Sequence, residues 1–218
     1  MKTIIITALA ILAFGYSKAQ ETEVIYTDAK KPREVETLMK SDGGFGGHLS
    51  LNVKGTEVTD QAAVMVGGEL VFTLNHALNI GVAGYGMPTR IDYDDKDNFY
   101  RDNLSVEFGY GGFFIEPVFF DQKVVHFSVP VLIGGGWAGL SNLTDAYDRS
   151  YPNDVYLVDE SIFFVLEPGI NMEVNLVKYV KLTLGGSYRY VSGSDLRNIE
   201  DSDLSGLSFG AGIRVGWF

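Results

Sequence analysis

The sequence predicts an all-β protein, an eight-stranded antiparallel up-and-down transmembrane β-barrel. Three observations carry that prediction. Most of the chain after residue 43 alternates apolar and polar side chains with period two, the signature of strands with unlike faces. The polar face is mostly Gly, Ser, Asn and Ala, which suits a narrow interior better than a hydrated exterior. Tight turns alternate with longer connections, as in membrane barrels that have one short-turn rim and one loop rim. With 26 Gly, 14 Phe and 12 Tyr in 218 residues, the composition points the same way.

The first residues are MKTIIITALAILAFGYSKAQ, a lysine and an apolar run followed by small and polar residues. Residues 1–19 therefore read as a secretory signal peptide cut after Ala19; the run is shorter than the roughly 20 residues a spanning helix needs. Residues 20–43 show no alternation and read as a periplasmic arm, linker in character, with a short helix near Glu34 to Met39. Residues 44–218 are the barrel.

The first strand, Phe45 to Lys54, sets Phe45, Gly47, Leu49, Leu51 and Val53 against Gly46, His48, Ser50, Asn52 and Lys54. The second, Ala62 to Thr73, opposes Val64, Val66, Leu70 and Phe72 to Met65, Gly67, Glu69 and Thr73. In the third, Leu78 to Met87, Leu78, Ile80 and Val82 oppose Asn79, Gly81, Ala83 and Tyr85. The fourth begins with Val106, Phe108 and Tyr110 opposed to Ser105, Glu107 and Gly109, and changes phase at Gly111-Gly112 before Glu116; a β-bulge there would explain the slip. Strands from Val124 to Trp137, Ile162 to Val174, Val180 to Val191 (VKLTLGGSYRYV) and Leu207 to Trp217 complete the set. Tight turns follow the second, fourth and sixth strands. Longer connections are expected over Gly55 to Gln61, Pro88 to Asn103, Leu140 to Ser161 and Ser192 to Gly206. An even strand number then puts both mature chain ends on the short-turn, periplasmic side.

In a membrane barrel the apolar set faces lipid and the small polar set lines the interior, which explains mid-strand glycines that would pack nothing in a soluble sheet. Tyr188, Tyr190 and Trp137 then belong near one interface and Phe45, Phe72 and Trp217 near the other. A soluble lipocalin-like barrel is the rival fold, but its outer face would carry Lys, Glu and Thr. The formal charge of −11 leaves no basic stripe for nucleic acid. Without cysteine the chain has neither disulfides nor a lipoprotein anchor through an N-terminal Cys.

A hairpin repeat is the most specific internal signal. GGELVFTLNHALNIGVAG, FFIEPVFFDQKVVHFSVPVLIGGG and FVLEPGINMEVNLVKYVKLTLGG each place a glutamate before an apolar residue or proline, then a tight turn and a glycine-rich returning strand. The equivalent residues are Glu69, Glu116 and Glu167. Three carboxylates in a narrow lumen must be countered, and Arg214, Lys181, His48 and His126 face inward near the same rim. The expectation is an ion-pair and hydrogen-bond network that blocks the lumen, with Glu107 and Arg189 as a second tier toward the outer end. Buried polar groups in a narrow barrel satisfy one another, so the network reads as a plug in preference to an ion path.

His126-Phe127-Ser128 invites comparison with serine esterases, but both side chains face the lumen near the short-turn rim and no acidic orienter follows; no catalytic residue is assigned. The loop IDYDDKDNFYRD carries Asp92, Asp94, Asp95, Asp97 and Asp102 but lacks the Gly and terminal Glu of an EF-hand. It reads as a solvated acidic extracellular loop. No metal site and no cofactor are assigned.

The alternating strands and the final strand LSFGAGIRVGWF, running to Phe218, resemble the small eight-stranded outer-membrane barrels of Gram-negative bacteria, the OmpA/OmpX-like class, over about Gly43 to Phe218. In that class the last aromatic usually shares the lipid-facing phase; here Trp217 does, with Phe209, Ile213 and Val215, and Phe218 does not. The resemblance implies insertion by the barrel assembly machinery among outer-membrane lipid and lipopolysaccharide, but no particular activity. The expected function is a non-enzymatic structural or surface-binding protein working through its acidic loops, with a surface or periplasmic protein partner. The alternatives are an accessory subunit of an envelope secretion or assembly machine and, ranked last, a lipid-active enzyme.

Overall fold

The computed structural model describes residues 44–93, 104–143 and 155–218. The signal peptide, the arm, and Asp94, Asp95, Asp97 and Asp102 of the acidic loop lie outside the described residues. Period-two segments form β1 (Phe45–Val58), β2 (Gln61–Leu74), β3 (Leu78–Gly86), β4 (Ile91–Tyr93), β5 (Leu104–Phe119), β6 (Val125–Ser128), β7 (Val131–Leu143), β8 (Val155–Val177), β9 (Val180–Ser192) and β10 (Gly206–Trp217), with one helical turn, α1 (Asp201–Leu204). β4 continues the line of β3 along β5. β6 and β7 keep a single register on either side of Val129-Pro130. The ten elements are thus eight staves, every pairing is antiparallel, and β10 closes the ring on β1 with Arg214 opposite Ser50.

The two faces have opposite exposures. On β1, Leu51 is 70% exposed and Ser50 is 1% exposed. Leu49, Val66, Leu70, Phe72, Ile80, Phe209, Ile213 and Val215 continue the exposed apolar band around the ring. Among the described residues no helix is long and apolar enough to cross a membrane. Strands carry the apolar surface.

Three sequence expectations are corrected. β7 runs on to Leu143 and β8 starts at Val155, so the connection expected over Leu140 to Ser161 is shorter at both ends. β1 and β2 run on to a two-residue turn, Thr59-Asp60, both at positive φ (51° and 59°), so no long connection spans Gly55 to Gln61. The turn lacks the usual glycine. Its backbone is instead tied to the helical turn, Thr59 N donating to Asp203 O at 2.8 Å. Nor is there a bulge at Gly111-Gly112: the β5–β7 register is continuous from Leu104↔Asn142 to Ile115↔Val131. Val106, Phe108, Tyr110, Phe114 and Glu116 therefore share one inward face, and the apolar members point into the barrel because the loop-rim half of its interior is itself apolar.

Pro117, Pro130 and Pro168 stand on three neighbouring staves. Pro117 O accepts from Val129 N at 3.1 Å and Pro130 O from Gly169 N at 2.8 Å, but neither proline can donate in return. Pro168 falls where the β8–β9 ladder lapses between Leu166↔Tyr190 and Gly169↔Ser187. Each lost bond is worth about 0.5–1.5 kcal/mol. Hydrogen exchange in detergent should find the Val129 and Gly169 amides less protected than those of the uninterrupted β1–β2 ladder, by up to about tenfold. Equal protection would mean that neighbouring bonds compensate.

Candidate functional site in the barrel lumen

Inward residues from all eight staves meet in three layers. Nearest the short-turn rim is Arg214, 1% exposed. Its Nη1 donates to Glu116 Oε2 at 2.8 Å and Glu173 Oε1 at 2.9 Å; its Nη2 donates to Glu116 Oε1 at 2.9 Å and Glu69 Oε2 at 3.3 Å. Glu116 thus takes both arms of the fork, the strongest geometry for an Arg–carboxylate pair. The remaining lone pairs are also used: Asn79, Ser128 and Asn171 donate to Glu116, and Ser50, Asn52 and Tyr85 donate to Glu69. Glu173 faces His126 Nε2 at 3.0 Å and Lys181 Nζ at 3.5 Å.

The middle layer is built on Glu167. It accepts from Lys54 Nζ at 2.8 Å, Tyr110 OH at 2.6 Å and the Ser187 hydroxyl. The Lys54 ammonium also lies 3.6 Å from the centroid of the Tyr85 ring, and Tyr85 reaches Glu69, so the layers are linked. Between them remains a cavity of about 50 Å³ bordered by Asn52, Lys54, Glu69, Tyr85 and Glu167. That is room for a few waters.

Toward the loop rim the interior becomes apolar. Phe108 and Phe163 stack at 5.3 Å, and Arg189, fully buried, sits over Phe108 with its centre 4.9 Å from the ring. Arg189 Nε donates to Leu204 O at 2.7 Å and Nη2 to Glu57 O at 3.1 Å. Among the described residues no carboxylate pairs with it; carbonyls of the β1–β2 hairpin and of α1 take its charge. Leu196, Ile199 and Leu204 of the β9–β10 connection are buried with Val58, Met65 and Val191, and Glu200 and Asp203 form a capping box on α1.

This architecture can now be set beside known structures. Neisserial surface protein A (NspA) matches with a TM-score of 0.52 at 13% identity, over 78% of this chain and 96% of that one. The fold is that of a small OmpA/OmpX-like outer-membrane β-barrel. The attachment invasion locus protein Ail of Yersinia pestis, in complex with the heparin analogue sucrose octasulfate, matches over 80% of this chain and 99% of its own, at 12% identity and a TM-score of 0.48. No family model and no curated protein matches the sequence.

Within this outer-membrane-type barrel, the sequence-assigned residues are distributed unequally. Glu69, Glu116, Arg214, His126 and Lys181 lie in the layer nearest the short turns. Glu167 does not join them. Glu173 takes the third position, and plain alternation along EPGINMEV already puts it on the face of Glu167. His48 is buried at the same end, its ring beside that of Phe218 and tilted 34° to it. Glu107 is on the outer wall, exposed, beside a concavity that Arg90 and Trp137 also line; once β5 carries no bulge, its parity with Phe113 and Ile115 puts it outside. Arg189 therefore has no tier with Glu107. Sequence reasoning misses Lys54 and Tyr110, Tyr110 because an apolar strand face reads as the outer one. Ser128 donates to Glu116 and His126 meets Glu173, so both side chains of this pair are engaged in the network. Of the acidic loop, Asp92 is described, exposed on β4.

Removing one partner of a buried ion pair strands the others, at about 3–5 kcal/mol. Arg214→Met should lower unfolding stability in detergent by that order, with part of the loss recovered on adding Glu116→Gln or Glu173→Gln, because contacting residues are not additive. Glu167→Gln should give no recovery. Arg90→Met, on the exposed rim, should do little. Equal small effects at Arg214 and Arg90 would remove the cluster from any role in stability.

Proposed function

We propose that this chain is an integral outer-membrane protein with a closed lumen, non-enzymatic, acting as a structural or surface-binding protein through its loop rim. The observation that carries the reading is the filled interior: a carboxylate-arginine layer, a second layer on Glu167 and an apolar cap leave a cavity of only about 50 Å³ between the layers. An eight-stranded wall encloses little more than its own side chains. In this reading residues 1–19 export the chain, the barrel assembly machinery inserts it among lipid and lipopolysaccharide, and the short-turn rim and both mature chain ends face the periplasm.

The loop rim then faces outward. Glu57, Asp60, Asp92, Glu160, Asp195 and Glu200 are exposed there against Arg90 and Arg197. Such a field favours cationic partners and repels polyanions. The connection from Gly193 to Ser205 is braced as a platform: Asp201 accepts from the Gly193 and Ser194 amides, and Asp159 from the Arg197 amide. The likeness to NspA, named as a surface protein, agrees with a surface role.

Three measurements test this. The folded barrel should migrate differently from the boiled chain in detergent gels, since its hydrogen bonds survive until heated. In planar bilayers it should give only rare or small current events; steady porin-like conductance would remove the closed lumen. Cysteines placed at Asp60 or Asp195, in a chain with none of its own, should trap any partner by surface cross-linking, and trapping solely through residues 20–43 would favour an accessory subunit of an envelope machine.

A further inference from the structure

Trp217 and Phe218 are consecutive aromatics with opposite surroundings. Trp217 is 71% exposed on the outer wall, its ring 6.4 Å from that of Tyr179. Phe218, one residue on, turns to the other face. Its ring centroid lies 5.3 Å from that of His48, and the Lys181 ammonium sits 4.0 Å from it. Lys181 is the same residue that reaches Glu173 in the charged layer.

What Phe218 covers is polar and incompletely partnered. His48 is 4% exposed, yet among the described residues neither of its ring nitrogens has a hydrogen-bond partner, and His126 Nδ1 and Arg214 Nε at the same end are also without one. Polar atoms in that position hold water strongly whenever water reaches them. On the open side of Phe218 lies a cavity of about 270 Å³ bordered by Thr73, His76, Asn79, Lys178 and Lys181. Phe218 belongs to its lining and His48 does not.

We infer that Phe218 is the stopper of the lumen at the short-turn mouth: an apolar ring seated between His48 and Lys181 that separates this cavity from His48. The charged layer holds the strands together, and the phenyl ring decides whether solvent reaches His48. Trp217 belongs to the outer wall and takes no part in the closure. The inference rests on the closed-lumen reading and adds the element that closes one end.

The chain has three histidines, His48, His76 and His126, which makes carbethoxylation by diethyl pyrocarbonate, read by peptide mass spectrometry on the folded full-length barrel in detergent, a direct test. In the wild type His76 should react while His48 and His126 stay protected. In Phe218→Ala the His48 rate should rise about tenfold, equivalent to about 1.4 kcal/mol of closure lost, with His126 unchanged. Phe218→Leu, which keeps apolar bulk and guards against a misfolded alanine variant, should fall between the two, and Trp217→Ala should leave His48 protected. The stopper is overturned if wild-type His48 reacts as fast as His76, if folded Phe218→Ala leaves His48 protected, or if His48 and His126 become reactive together, which would mean a general opening of the rim. Steady bilayer conductance of the wild type would instead overturn the closed lumen itself.

Discussion

The guanidinium of Arg214, held by Glu69, Glu116 and Glu173, is the interaction on which the rest of the barrel depends. The four residues come from β10, β2, β5 and β8, so four of the eight staves are fixed to one another across the lumen as well as around the wall. A one-residue slip of β10 against β1 would turn Arg214 toward the apolar outer surface and leave three carboxylates facing one another. Each stranded charge would cost several kcal/mol. Backbone hydrogen bonds tolerate such a slip; this cluster does not. It supplies the register that glycine-rich, small-residue strands specify only weakly.

The lumen changes character along its length, and the two buried arginines express the change. Arg214 is neutralised by carboxylates from strands. Arg189 is held by carbonyls where the β1–β2 hairpin and α1 leave strand pairing, and by the faces of Phe108 and Tyr110. A carbonyl-bound arginine needs no acidic partner, so the loop-rim half can be packed with Val106, Phe108 and Phe163 like a soluble core. The loop rim is braced as a result: the connection between β9 and β10 is pinned from below by Arg189 and laterally by Asp159 and Asp201. Binding at such a rim would not have to pay for ordering that segment.

The corrections have separate causes. In β5 a lumen that is polar throughout puts the apolar residues Val106, Phe108 and Tyr110 outward and Glu107 inward by the same rule. An apolar lumen reverses both assignments without any change of periodicity. The hairpin repeat grouped Glu167 with Glu69 and Glu116 by sequence position, whereas shear between staves brings Glu173 to Arg214 and sends Glu167 to Lys54. Strand parity is a local property; height in a sheared barrel depends on the accumulated register of every intervening stave. Thr59-Asp60 was obscure for another reason, since neither residue is the glycine or asparagine that marks a positive-φ turn.

The sequence by itself determined that the chain is a ring of period-two strands with an apolar exterior, because side-chain alternation is written residue by residue and eight alternating segments admit few architectures. It determined the inward parity of His48, Glu69, Lys181, Arg189 and Arg214 for the same reason. Only the tertiary structure decided which inward groups meet, that Glu107 lies outside, that Glu173 completes the carboxylate set, and that the Phe218 ring lies beside His48. Those are distances between residues far apart in the chain, and they exist only after the staves are closed at one particular register.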